Sequence, residues 1–182
     1  KEAGGKITQA AKVDIIDWKK LEKRTSIVGY PILPLVEQLS EKVDGNFGQF
    51  CHWGATTQDI MDTADVLQIR KGLELLSKDL KSISNALEKI VERHIKTPMT
   101  GRTHLQHALP ISFGYKVSTW LSGIDRHHKR LEEIKNRVFN VSFFGAAGTL
   151  ASLGEHDGLK TQSTLAEELD LNVPDVSWHS IR

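Results

Sequence analysis

Val66, Ile69, Leu73, Leu76, Leu80, Ile83, Leu87 and Ile90 follow one another at alternating steps of three and four. That spacing averages about 3.5 residues, the period at which an α-helix keeps one apolar seam turned toward a partner helix. It excludes a strand, whose faces alternate at every second residue. The same spacing returns in Phe113, Val117, Trp120, Ile124, His127, Leu131, Ile134, Val138 and Val141. Two long helices are expected, the first from about Thr57 until Pro98 stops it. The second runs for about 30 residues with Pro110 in its first turn, where proline is tolerated. Lys71, Glu74, Lys78, Asp79, Lys81, Glu88 and Lys89 stand off the first seam and form a solvated face. Two helices of this length cannot bury both seams against each other. Further helices, from elsewhere in the protein or from other subunits, are needed around a shared core.

The rest of the chain reads as shorter helices joined by glycine-rich connections. Ala11, Ile15, Trp18 and Leu21 place a helix over about Thr8 to Arg24. A second begins at Pro31, carries Leu35, Leu39 and Val43, and ends at Gly45. GNFGQFCHWG follows, with Phe47, Phe50 and Trp53 expected to dock onto the body. Residues 101–110 read as a loop, and FFGAAGTLASLG, residues 143–154, as a small-residue loop that lets a backbone come close to a ligand. A last helix spans about Asp157 to Leu169. The expected class is all-α, a long-helix bundle. Residues 1–97 form an N-terminal helical domain running into a bundle helix, and residues 98–182 the first part of a central bundle. Both ends, KEAGGKITQA and DVSWHSIR, read as cut from a longer protein.

Composition removes several functions. With 24 basic and 23 acidic residues, no charge excess points to nucleic acid or an anionic membrane as partner. No window approaches the roughly 18 apolar residues of a membrane span. The single cysteine, Cys51, excludes an intramolecular disulfide framework and fits a reducing, cytoplasmic compartment.

Two stretches could carry chemistry. In HWGATTQDIMDTA, residues 52–64, Thr56 and Thr57 stand at the start of the long helix with Asp59 and Asp62 in its first turn. Such a pattern caps a helix by satisfying orphan amides. The same hydroxyls and amides also suit a substrate carboxylate or phosphate. In GRTHLQHALPISFG, residues 101–114, Arg102 could clamp a carboxylate, His104 serve as acid or base near neutral pH, and Gln106 orient an oxygen. A loop whose polar groups bond only to backbone is the other reading. His127 and His128 diverge as helix neighbours, with His127 expected as a core histidine, and Cys51 beside His52 is no nucleophile pair. No metal site is expected.

These two stretches, their order and the helix between them resemble the fumarase/aspartase superfamily. HWGATTQDIMDTA is similar to its first signature region and GRTHLQHALPISFG to its second. FFGAAGTLASLG resembles the glycine-rich segment of adenylosuccinate lyases and 3-carboxy-cis,cis-muconate cycloisomerases, and VGYPILPLVEQLS leans toward the cycloisomerase branch. The resemblance implies a homotetramer that pools its helices, no cofactor, and a small dicarboxylate-bearing substrate. It implies reversible elimination or addition next to a carboxylate, with cycloisomerase or adenylosuccinate lyase chemistry as alternatives. A helical assembly protein without activity is the alternative of another class.

By position, the resemblance makes His104 the general acid and His52 a second active-site histidine. Thr56, Thr57 and Gln58 would hold substrate carboxylates, and Asp59 would support the loop or a histidine. Arg102, Thr103 and Gln106 fall in the substrate-binding second region, and Arg182 in a third. The resemblance places the base, a serine, on a loop after residue 182, so that these 182 residues by themselves are expected to be inactive.

Overall fold

The computed structural model describes residues 1–178. Its elements are α1 (Glu2–Ala10), α2 (Trp18–Val28), α3 (Ile32–Lys42), α4 (Thr57–Arg93), β1 (Pro98–Thr103), β2 (Gln106–Ser112), α5 (Phe113–Val138) and α6 (Gly154–Leu169), with short 3-10 turns between. The chain is helical, as its periodicity requires, and no helix among the described residues is long and apolar enough to cross a membrane. It forms two compact units: Lys1–Val66 with the segment from Asn140 onward, and Leu67–Phe139.

In the first unit, the single helix expected over residues 8–24 is two helices. Asp17 explains the break. Its carboxylate accepts the Lys20 N–H at 3.0 Å as the N-cap of α2, while Gln38 from α3 bonds both its N–H (2.7 Å) and its C=O (3.3 Å). A side chain 21 residues away thus holds this peptide outside a helix. Arg24 grips Glu37 through two bonds of 2.7 and 3.3 Å and joins α2 to α3. The core gathers Val141, Phe143, Leu150 and Ala166 against Ala55, Leu153, Leu165, Leu169 and Leu171. Each such large side chain, when fully buried, contributes about 1.5–3 kcal/mol. Val141, expected on the seam of the second long helix, lies after α5 ends and in this core instead, with its N–H bonded to Asn172 O. Phe50 and Trp53 are exposed rather than docked, and their rings meet tilted at 35° with centroids 5.8 Å apart.

In the second unit, residues 98–112 are a hairpin, whereas residues 101–110 were expected to be a loop. Thr103 pairs with Gln106, leaving His104 and Leu105 as a two-residue turn. Pro110 pairs with Thr100 within β2 and does not open α5. A two-stranded ribbon tolerates it because each strand has an outer edge needing no N–H. Ser112 caps α5 by accepting the Tyr115 N–H at 3.1 Å. The helix starts close against the turn after α4: a Cβ on Gly114 would lie 2.8 Å from Ile95 Cα, and its N–H donates to His94 O at 2.9 Å.

The two columns of the α4 seam differ. Leu73, Leu80 and Leu87 are half-buried, whereas Ile69, Leu76, Ile83 and Ile90, seven residues apart, stay 37–46 % exposed. On α5, Val117 is buried, Ile124, Leu131 and Val138 are half-buried, and Trp120 and His127 are exposed. His127 is therefore no core histidine; its Nδ1 lies 3.2 Å from Arg130 Nη1 at the surface.

Candidate functional site

α4 begins at Thr57 because Thr56 and Asp59 build its first turn. Asp59, at the third helical position, reaches back and accepts the Thr56 N–H at 3.0 Å, one half of a capping box. Its carboxylate does more than cap. It also accepts the N–H groups of Phe144 and Gly145, each at 3.0 Å, and is 1 % exposed. Three backbone donors on one buried carboxylate satisfy the desolvation that a charge there demands.

One turn further along α4, Thr63 bonds the same segment. Its hydroxyl donates to Ser142 O and accepts from Ser142 N, both at 3.0 Å. Gln162 of α6 donates to Phe143 O at 2.9 Å. Residues 142–145 are thereby held by three buried side chains, Asp59, Thr63 and Gln162. Thr63 and Gln162 escaped the sequence reading. Thr63 carried a faint signal, a polar residue one helical turn after Asp59 and on the same face; Gln162 carried none.

His52 sits ahead of this helix start in a left-handed conformation, φ +62°, half-buried. Burial holds its pKa below the ordinary 6.5, against the opposing pull of the Asp59 charge. A neutral imidazole near pH 7 follows, able to accept or donate a hydrogen bond. Gln58 donates to Asp62 at 3.3 Å. Thr56, Thr57 and Gln58 are half-buried at the helix start, where first-turn amides lack intrahelical acceptors.

The second group of candidates is built differently. His104 and Leu105 take positive φ values of 43° and 64°, as a two-residue type I′ hairpin turn requires and as neither residue type favours. Gly101 marks the irregularity in the ladder, where a Cβ would lie 2.7 Å from Leu109 O. Arg102, Thr103, His104, Gln106 and His107 are all exposed around this tip. Leu105 and Leu109 are 94 % and 81 % exposed. His52, Thr56, Thr57, Gln58 and Asp59 belong to the first unit; Arg102, Thr103, His104 and Gln106 belong to the second. Arg182 lies outside the described residues.

A cleft of about 780 Å³ in the first unit is lined by Trp53, Ser152, Leu153, Lys160, Thr164 and Leu165 among others. None of the candidate residues lines it. Among the described residues no three His, Cys, Asp or Glu side chains converge as a metal would need.

A lyase family model matches residues 4–180, and so takes in both groups of candidates. Trans-aconitate decarboxylase 1 from Mycosarcoma maydis is 43% identical over 180 residues, covering 99% of this chain and 36% of that protein. The 3-carboxy-cis,cis-muconate cycloisomerase of Pseudomonas aeruginosa is 40% identical over 179 residues, covering 97% of this chain and 39% of its own length. Among solved structures, the fumarate lyase from Mesorhizobium sp. BNC1 superposes with a TM-score of 0.94 at 57% identity, covering 99% of this chain and 42% of that one. The chain thus spans 36–42% of the length of these relatives.

Proposed function

The chain belongs to this lyase family, within the fumarase/aspartase superfamily, and from that premise we propose that its protein catalyses a reversible elimination or addition next to a carboxylate. The reaction we assign is that of a 3-carboxy-cis,cis-muconate cycloisomerase-like enzyme acting on a small dicarboxylate without a cofactor. The observation that carries it is the family match over residues 4–180, which takes in both groups of polar residues. A cycloisomerase relative matched over 97% of the chain supports the choice of reaction.

In this scheme a base removes the proton alpha to a carboxylate, negative charge develops on that carboxylate, and an acid protonates the departing oxygen or nitrogen. Thr56, Thr57 and Gln58, with the first-turn amides of α4, receive a carboxylate and stabilise the developing charge through fixed donors. Arg102 clamps the second carboxylate, with Thr103 and Gln106 beside it. His104 is the acid. His52, neutral near pH 7, hydrogen-bonds the substrate, and Asp59 supports the turn around it. Arg182 is assigned a further carboxylate contact, and the base comes from outside these 182 residues, as the resemblance implies.

The exposed column Ile69, Leu76, Ile83 and Ile90 supports assembly with other copies. Apolar residues every seventh position along a helix fit a neighbouring helix, and the assembly we assign is a homotetramer. The single free Cys51 supports a cytoplasmic location.

A second reading, a lyase releasing fumarate from a C–N bond as adenylosuccinate lyases do, is favoured by the 57% identical fumarate lyase. Turnover assays on the full-length protein separate the two. Lactonisation of 3-carboxy-cis,cis-muconate supports the first reading. Fumarate released from adenylosuccinate would replace it with the second, and no turnover of any dicarboxylate would leave an inactive helical assembly.

A further inference from the structure

We propose that Thr63 and Gln162 are positioning residues for His52: they lock residues 142–145 in the one register that closes this segment over the turn carrying the imidazole. The proposal rests on the assignment of His52 to the active site. Its physical basis is a chain of contacts within the first unit. Thr63 both donates to and accepts from Ser142, so its hydroxyl fixes that residue against sliding in either direction. Gln162 fixes the next carbonyl, Phe143 O. The following two amides, Phe144 and Gly145, then fall on the two oxygens of Asp59. A slip of one residue would break every one of these bonds, three of them fully buried and two part-buried, and strand their polar groups away from water.

The far end of the segment meets the His52 turn. The Cβ position of Gly145 lies 3.2 Å from Gly54 O, and the space a Cβ on Gly54 would need is filled by Leu153 at 2.6–2.8 Å. Ala55 N donates to His52 O at 3.3 Å, which closes the turn. A histidine at φ +62° persists only where its surroundings over-determine it. Against the turn that holds it lie Gly145, at the end of the segment that Thr63 and Gln162 bond, and Leu153. The His52 pKa is lowered by burial against the opposing pull of the Asp59 charge, so it responds to changes in the packing of this turn and in the place of that carboxylate.

The experiment uses the full-length protein labelled with 13C-histidine, titrated by NMR, with the His52 resonance assigned by its loss in His52→Gln. Thr63→Val keeps the shape and removes both bonds to Ser142; Gln162→Met removes the bond to Phe143 O. Each is expected to raise the His52 pKa toward its ordinary 6.5. Each is also expected to lower kcat by about tenfold or more, with KM little changed. Thr63→Ser should restore both readouts. If Thr63→Val does not fold, Gln162→Met carries the same test. A lowered melting temperature with wild-type His52 pKa and kcat would overturn the proposal and leave these residues structural. A raised pKa with unchanged kcat would uphold the positioning and remove His52 from catalysis instead.

Discussion

The stretches at residues 52–64 and 101–114 use similar residue types in opposite constructions. In the first, the polar groups are sunk into a packed unit: one carboxylate takes three amides, and one hydroxyl bonds both the N–H and the C=O of a distant residue. In the second, every candidate side chain stands exposed around a hairpin tip whose two turn residues are in an unfavourable conformation. The difference teaches that one part of the proposed site is finished by this chain's own folding. The other is held out on a short ribbon, with Leu105 and Leu109 unburied.

Substitutions should split along this line. The largest expected effect is Asp59→Ala, which leaves three amides without acceptors and should cost at least about 3 kcal/mol in a denaturation experiment. A change below about 1 kcal/mol would break the contrast, because Asp59 would then brace nothing. Gly101→Ala comes next. Its new Cβ would press on Leu109 O, so the hairpin should lose about 1–3 kcal/mol, read by hydrogen exchange at β1 and β2. Leu105→Gly should go the other way, relieving a positive φ and stabilising the tip by about 1 kcal/mol. A loss of stability there would show that the leucine is covered in the whole protein.

The smallest effect concerns pH. Because burial lowers the His52 pKa, the folded protein binds that proton less readily than the unfolded chain. Stability from this group is therefore full above the ordinary pKa of 6.5 and lost as pH falls below it toward the folded value. His52→Gln should flatten this slope in melting temperatures measured below pH 6.5. An unchanged slope would place the imidazole in an ordinary solvated setting, outside the packing of the braced unit.

What the sequence made legible follows the range of the interactions involved. The period of α4 and α5 and the extents of α3 and α6 are set by local patterning, and the family resemblance rested on contiguous residues. The break between α1 and α2 was hidden because Gln38, which holds Asp17 out of a helix, lies in another element. The hairpin was hidden because five polar residues and a proline leave no alternation for a strand to show. Thr63 and Gln162 were hidden because their partners are 79 and 19 residues away. At residues 52–64 the legible part was the cap, which is local; the bracing of residues 142–145 was not.

We propose that the braced helix start receives substrate and that the hairpin tip delivers the acid. His104→Ala in the full-length protein, with kcat, KM and melting temperature measured together, tests this. A kcat lower by roughly two orders of magnitude with the melting temperature unmoved is expected. An unchanged kcat with an altered KM would contradict it and make His104 a binding residue.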